Sequence, residues 1–180
     1  MVNFLWDNLF RKDKRDQDLL TLLKENVIFS LLSPPEINFV KELVHIRTYR
    51  PSESVFRQGE AGVGMYIIAK GAVDVFIEDL QSDDPDKRMV FITRLTSGDF
   101  FGELSLVEDK DRRTATVISS DETTLVGFFR PDLTELIQRN PSTGLKIFIQ
   151  LSHVLGKRLK ETTQKVSELK KELKRLSETR

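Results

Sequence analysis

The spacing of the apolar residues changes twice along the chain, and this change constrains the fold more than any other feature. Residues 44–129 contain short runs rich in β-branched and aromatic residues, such as "AVDVFIE" and "TTLVGFF", separated at regular intervals by Pro, Gly, Ser and Asp. Short strands of this kind are typical of an antiparallel sandwich or barrel. The segments on both sides have helical spacing. The sequence therefore predicts an α+β fold, in which antiparallel strands are flanked by helices.

The flanking segments divide the chain into three regions. Within residues 17–43, leucines at helical spacing are followed by Ser33, which can cap a second helix ahead of two prolines. From about Ser142 onward the sequence is typical of one long helix. We therefore expect an N-terminal arm over residues 1–16, a folded domain over 17–140 and a C-terminal helix over 141–180.

The N-terminal arm is amphipathic. We expect it to pack on its own domain or on a partner. A peripheral membrane contact is the alternative, but three aspartates dilute the basic character that such a contact needs. The apolar residues of the arm are Val2, Phe4, Leu5, Trp6, Leu9 and Phe10.

The composition excludes several classes of protein. The 180 residues include no Cys, which rules out disulfides, thiolate metal sites and cysteine nucleophiles. The formal net charge is +0, so no general attraction to nucleic acid or membrane is expected. His45 and His153 are isolated, and the sequence contains no Walker loop or nucleophile elbow. We expect a cytoplasmic protein that is not an enzyme and binds no metal.

The segment "FGELSLVEDKDRRTATV" has the residues of a small binding site. Gly102 lets the backbone approach a ligand closely, and Glu103 would lie in the first turn of a short helix. Free amides at a helix start favour an anion, whereas a carboxylate accepts hydrogen bonds from a sugar hydroxyl. One arginine of the following pair can bind a phosphate through two N–H groups. The pattern suits a phosphodiester attached to a ribose, but an exposed turn with a solvated charge run remains the alternative.

The same segment resembles the phosphate-binding cassette of cyclic nucleotide-binding domains. Upstream, "RQGEAGVGMYIIAKGAVDV" is similar to the strand and glycine signature of that family, and the resemblance covers roughly residues 17–166. The resemblance implies an eight-stranded, jelly-roll-like β-roll flanked by N-terminal helices and a long C-terminal coiled-coil helix.

The resemblance also implies roles for the cassette residues. Glu103 would accept a hydrogen bond from the ribose 2′-hydroxyl, amides near Leu104 and Ser105 would bind the phosphate, and Arg113 would pair with the phosphate charge. Arg112 is then the outward-facing neighbour. The matched positions are Gly102, Glu103, Leu104, Ser105, Arg113 and Thr114.

The C-terminal helix has an apolar seam with alternating spacings of four and three residues. That heptad pattern over about three repeats indicates a coiled coil, and we expect a parallel homodimer. The alternative is an amphipathic helix that lies on its own domain. The seam positions are Leu155, Leu159, Thr162, Val166, Leu169, Leu173 and Leu176.

Thr162 is the polar exception in the seam, and it can simply fix the register of a coiled coil. The helix also resembles the dimerisation helix of the cyclic AMP receptor branch of the family. That resemblance implies that Thr162 of one subunit and Thr163 of the other contact an adenine, and that Arg158 pairs with Glu103. Cyclic AMP is therefore the expected ligand. Cyclic GMP is the alternative, because Thr114 matches a threonine that recurs in cyclic GMP-binding members.

These expectations combine into a regulatory homodimer that senses a cyclic nucleotide and transmits binding through its C-terminal helix to a separate, unidentified protein. The sequence contains no helix-turn-helix after the coil, so we expect no nucleic-acid partner. The alternative function is a ligand-free scaffold built from the β-roll and the coiled coil.

Overall fold

A computed structural model describes residues 16–78, 89–108 and 112–178 of the chain. Apart from Asp16, the predicted N-terminal arm lies outside the described residues. The described chain forms two four-stranded antiparallel sheets, with strand orders β1-β8-β3-β6 and β2-β7-β4-β5. The predicted α+β β-roll with eight strands is confirmed. The strands are β1 (His45–Tyr49), β2 (Ser54–Phe56), β3 (Gly64–Lys70), β4 (Ala72–Glu78), β5 (Met89–Thr96), β6 (Phe100–Phe101), β7 (Thr116–Ser119) and β8 (Thr123–Phe129).

Helices precede and follow the sheets. Helix α1 covers residues 16–25 of the described chain, and a 3-10 turn at Val27–Phe29 leads to α2 (Pro34–Leu43). After β8 come α3 (Arg130–Arg139) and the long α4 (Pro141–Glu178).

The two central strands of the first sheet bury both of their faces. On one face, Ile67 of β3 and Val126 of β8 pack against the helices. On the other face, Ile68 and Leu125 pack in the core between the two sheets. Since successive strand side chains point to opposite faces, neighbouring apolar residues in β3 and β8 supply two separate cores.

The first third of α4 is anchored to the domain. Its buried residues are Thr143, Gly144, Ile147, Leu151 and Val154. From Gly156 to Glu178 the side chains of the isolated chain are exposed. No helix in the described ranges has both the length and the apolar character needed to cross a bilayer.

Glu36 links the start of α2 to the start of α4. Its carboxylate accepts hydrogen bonds from Lys146 Nζ at 2.8 Å, Thr143 Oγ1 at 2.9 Å and the backbone N–H of Ser33 at 2.7 Å. The hydrogen bond from Lys146, followed by that from the Ser33 backbone, lowers the pKa of Glu36 to about 2. The contact joins residues 110 positions apart in sequence and fixes the direction in which α4 leaves the domain.

Candidate functional site

The cassette begins with a left-handed glycine. Gly102 has φ 77° and connects β6 to a single 3-10 turn at Glu103–Leu106. A Cβ at this position would lie 2.5 Å from Arg113 Nη1 and 3.0 Å from Gly64 O, so the turn depends on the missing side chain. A one-turn helix has little macrodipole. An anion bound here would therefore depend on individual N–H groups and on nearby side chains.

Arg113 is buried, at 5% exposure, beside this turn. Its Nη1 donates to Ser105 Oγ at 3.1 Å, and its guanidinium lies 4.1 Å from the centre of the Phe56 ring. A cation against an aromatic face gains electrostatic stabilisation that partly offsets the cost of burial. The structure therefore holds a positive charge in an enclosed, largely apolar setting.

The two arginines lie just before β7 rather than at its start, since that strand begins at Thr116. Their positions come from the glycine turn upstream. Gly59 N donates to Arg113 O and Arg113 N donates to Glu60 O, both at 2.8 Å. Arg112 is exposed and donates from Nη1 to Gly59 O at 2.8 Å. The "RQGE" motif thus fixes which arginine faces inward.

Glu103 supplies the opposite charge. It is 3% exposed, and its Oε1 accepts a hydrogen bond from Arg158 Nη1 of α4. Its Oε2 is buried and has no hydrogen-bond partner in the described chain. Arg158 also donates from Nη2 to Phe100 O at 3.2 Å, and its guanidinium lies 5.0 Å from the centre of the Phe100 ring. Helix α4 is therefore connected directly to the cassette.

These groups surround a cavity of about 320 Å³. The cavity lies between the cassette, the inner faces of the second sheet and α4. The predicted site residues that line it are Gly102, Glu103, Leu104, Ser105, Arg113, Thr114 and Arg158. The remaining lining residues are Phe56, Val75, Thr93, Leu95, Phe100, Phe101, Ala115 and Val117.

Thr162 and Thr163 do not line this cavity in the single chain. They lie further along α4, are exposed, and donate to the carbonyls of Arg158 and Leu159 four residues earlier, each at 2.8 Å. The structure thus brings the six cassette positions and Arg158 together and places the threonine pair apart from them.

The aromatic residues in and beside the cavity were not predicted from the sequence. Phe56 and Phe101 line the cavity, and Tyr66 stacks on Phe101 with ring centres 5.6 Å apart. The available signal was the alternation of aromatic residues on strands that flank the glycine motif.

No group of three or more His, Asp or Glu side chains suited to hold a metal ion occurs among the described residues.

Chemically, the cavity places a buried cation near a buried carboxylate with one unpaired oxygen. The guanidinium suits an anion, and the free carboxylate oxygen suits a hydroxyl donor. A small ligand that has both groups would satisfy both sides.

Comparisons with known proteins agree with this geometry. The profile of the family described as "Cyclic nucleotide-binding domain" matches residues 46–140. The chain is 30% identical over 139 residues to the Cyclic AMP receptor protein of Thermus thermophilus, which covers 77% of this chain and 60% of that protein. It is 32% identical over 135 residues to the cAMP-activated global transcriptional regulator CRP of Salmonella typhimurium, with 75% and 60% covered.

A solved structure gives the same result. The Catabolite Activator Protein of Thermus thermophilus superposes with a TM-score of 0.68 at 28% identity, over 80% of this chain and 63% of that one. The chain thus spans about three fifths of the length of these relatives. The family profile, which extends over more than half of the 180 residues and includes the whole cassette, shows that the chain belongs to the cyclic nucleotide-binding domain family.

Proposed function

We propose that the chain is a regulatory cyclic nucleotide sensor, that cyclic AMP is its preferred ligand and that it works as a homodimer. One observation carries the proposal: Arg113 and Glu103, both buried, line the same cavity, and Glu103 Oε2 has no partner in the described chain. A buried polar atom without a partner costs about 1–3 kcal/mol, which a ligand hydroxyl would recover.

In this proposal the cyclic phosphate binds beside Arg113 and the amides of Leu104 and Ser105, while the ribose 2′-hydroxyl donates to Glu103 Oε2. The cavity volume of about 320 Å³ lies at the small end of typical small-molecule sites, about 300–1,000 Å³. The aromatic and aliphatic lining suits the sugar ring and the base.

Two observations support cyclic AMP over cyclic GMP. Arg158 already contacts the cassette, so α4 passes the cavity one turn before Thr162. In a dimer, Thr162 of the same subunit and Thr163 of the other subunit would meet the adenine amino group. The names of both protein relatives refer to cyclic AMP. Cyclic GMP remains the competing ligand, because Thr114 also lines the cavity.

The exposed seam of α4 supports the homodimer. Five apolar seam residues beyond Val154 are between 45% and 70% exposed in the single chain: Leu159, Val166, Leu169, Leu173 and Leu176. A second copy of α4 would cover them in a parallel coiled coil. Ligand binding would then shift the position or stability of the coil, and a separate protein would read the change.

Calorimetry with cyclic AMP and cyclic GMP tests the proposal. We expect tighter binding of cyclic AMP, and we expect Arg113→Ala to weaken binding by about 2–5 kcal/mol, because the phosphate loses a buried charged partner. Arg112→Ala is the matched control, since it removes an arginine whose side chain points away from the cavity. If Arg113→Ala binds as well as Arg112→Ala, the phosphate site is assigned wrongly. If neither nucleotide binds the wild-type protein, a ligand-free scaffold replaces the sensor.

A further inference from the structure

Arg130 has an unusual position for a cation. It is the first residue of α3, at the end of the helix where the dipole is positive and a basic side chain is disfavoured. Its side chain turns away from α3 and toward the cassette. Its backbone is also fixed, because Arg130 N donates to Val63 O at 2.8 Å.

The guanidinium of Arg130 binds the carbonyl end of the cassette turn. Its Nε and Nη2 donate to Ser105 O at 3.1 and 2.8 Å, and Nη2 also donates to Glu108 O. Charge-assisted hydrogen bonds of this kind are stronger and more directional than neutral ones. One side chain of α3 therefore holds two carbonyls at the end of the 3-10 turn.

Ser105 is consequently held by two arginines from opposite sides. Its hydroxyl accepts from Arg113, and its carbonyl accepts from Arg130. Ser105 itself is 1% exposed, so its position depends on these contacts and on close packing. Since Arg113 contacts Ser105 as well as Phe56 and Gly102, the placement of the inward-facing guanidinium depends in part on Arg130.

We propose that Arg130 is a positioning residue for the phosphate-binding turn, an inference that rests on the proposed function. Arg130 is not among the residues that line the cavity. It acts through Ser105 by fixing the N–H groups of the turn and the Arg113 side chain before the ligand arrives. Because this role concerns the phosphate and not the base, it affects cyclic AMP and cyclic GMP equally.

The same contact connects the cassette to the packed helices α3 and α4. Leu133 and Leu136 of α3 are buried in one core with Ile147 and Leu151 of α4. The two helices are also in close contact at Gly144, where an added Cβ would lie 2.5 Å from Ile137. A displacement of Ser105 on binding would move Arg130 and α3, and tight packing would pass that movement to the base of α4.

The test compares the full chain with Arg130→Gln and Arg130→Lys, with Arg139→Gln as the matched control. Arg139 is at the other end of α3 and forms an exposed ion pair with Glu135 at 2.9 Å. Calorimetry should show affinity lowered about tenfold for Arg130→Gln, because two charge-assisted contacts to the turn are lost. Arg130→Lys should have an affinity between those of wild type and Arg130→Gln, since an ammonium keeps the charge but lacks the paired N–H donors of a guanidinium. Arg139→Gln should match wild type.

A second measurement separates positioning from general stability. In the ligand-free protein, the backbone amide signals of Ser105 and Leu106 should shift in the Arg130 variants, whereas that of Val154 on α4 should stay in place. Thermal melts establish whether the variants are folded. If Arg130→Gln is not folded, Arg130→Lys takes its place in the measurement.

Three results would overturn the inference: wild-type affinity in Arg130→Lys and Arg130→Gln, an equal loss in Arg139→Gln, or unmoved Ser105 and Leu106 amides. Absence of nucleotide binding by the wild-type protein would instead overturn the proposed function. In that case the amide signals still decide whether Arg130 holds the turn.

Discussion

Arg158 of α4 donates to one oxygen of the Glu103 carboxylate and leaves the other oxygen buried without a partner in the described chain. The pair joins residues 55 positions apart and connects the cassette to the helix that emerges from the domain. A ligand hydroxyl that binds the second oxygen would leave the first contact intact. Ligand binding and the attachment of α4 would therefore depend on the same carboxylate.

We predict that Arg158→Met weakens both ligand binding and the attachment of α4 to the cassette. The variant keeps the apolar stem but leaves Glu103 without its cation, and since the Arg158 side chain is 46% exposed, the cost should be about 1 kcal/mol. This corresponds to roughly a fivefold loss of cyclic nucleotide affinity and a melting temperature lower by about 2–4 °C. Lys157→Met is the control, because Lys157 pairs only loosely with Glu161, at 3.9 Å. Equal effects in both variants would contradict the coupling.

Gly102→Ala should impair the site more than its backbone strain alone explains. The substitution adds a Cβ at φ 77° and places it 2.5 Å from Arg113 Nη1, so the guanidinium must move. Gly98→Ala has the same kind of strain at φ 91° but meets nothing within 4 Å. We expect both variants to lose about 1–2 kcal/mol of stability from the left-handed conformation. Only Gly102→Ala should also lose ligand affinity, and calorimetry on the two proteins measures the difference.

Leu169→Lys should convert the proposed dimer into a monomer. Leu169 is 56% exposed in the single chain and lies in the middle of the seam, where a charge would be buried between two copies. Gln164→Lys introduces the same charge on the outer face of α4 and should leave the dimer unchanged. Sedimentation equilibrium distinguishes the two states, and a monomeric wild-type protein would refute the coiled-coil dimer.

The pH dependence of stability should reveal Glu36. Its pKa in the folded protein is about 2, below the ordinary value of 4.5, so its contribution is complete above pH 4.5 and is lost as the pH falls toward 2. The difference between these two pKa values corresponds to at most about 3.4 kcal/mol, which solvent screening of the carboxylate lowers to roughly 2–3 kcal/mol. Chemical denaturation should show Glu36→Gln less stable than wild type at pH 7, with the difference shrinking between pH 4.5 and 2.

Glu135→Gln is the control for this measurement. It removes a carboxylate from an exposed ion pair on α3, and such pairs contribute about 0–1 kcal/mol. If the difference in unfolding free energy between wild type and Glu36→Gln stays constant between pH 4.5 and 2, Glu36 does not have the assigned stabilising role.

The features that sequence alone could supply are those encoded locally. Alternating apolar residues and regularly spaced turns predicted an antiparallel sandwich or barrel, because each strand carries its own period, and the family resemblance supplied the β-roll. Gly102 and Glu103 were predictable for the same reason: a turn glycine and a first-turn acid are adjacent in sequence. The family resemblance assigned the inward position to Arg113, and the backbone of Gly59 and Glu60, not a strand, fixes this orientation.

The remaining contacts depend on the completed fold. Arg130 meets Ser105 because β8 ends beside the cassette, and nothing local in "FFRPDL" indicates that the arginine points backward. Lys146 and Glu36 are 110 positions apart, and all eight strands lie between them in the sequence. The stacking of Arg113 on Phe56 likewise requires β2 to pair with β7, which lies much later in the chain. Long-range pairs of this kind leave no periodic trace in a single sequence.

The exposed portion of α4 turns small changes at the cavity into large displacements. About twenty residues extend from Arg158 to Glu178, a rigid rod of about 30 Å at about 1.5 Å per residue. A tilt of only about 10° at Arg158 would swing the far tip through about 5 Å, comparable to one helical turn. If α4 pivots at Arg158, the helix would act as a lever whose fulcrum lies beside the cavity and whose far end moves furthest.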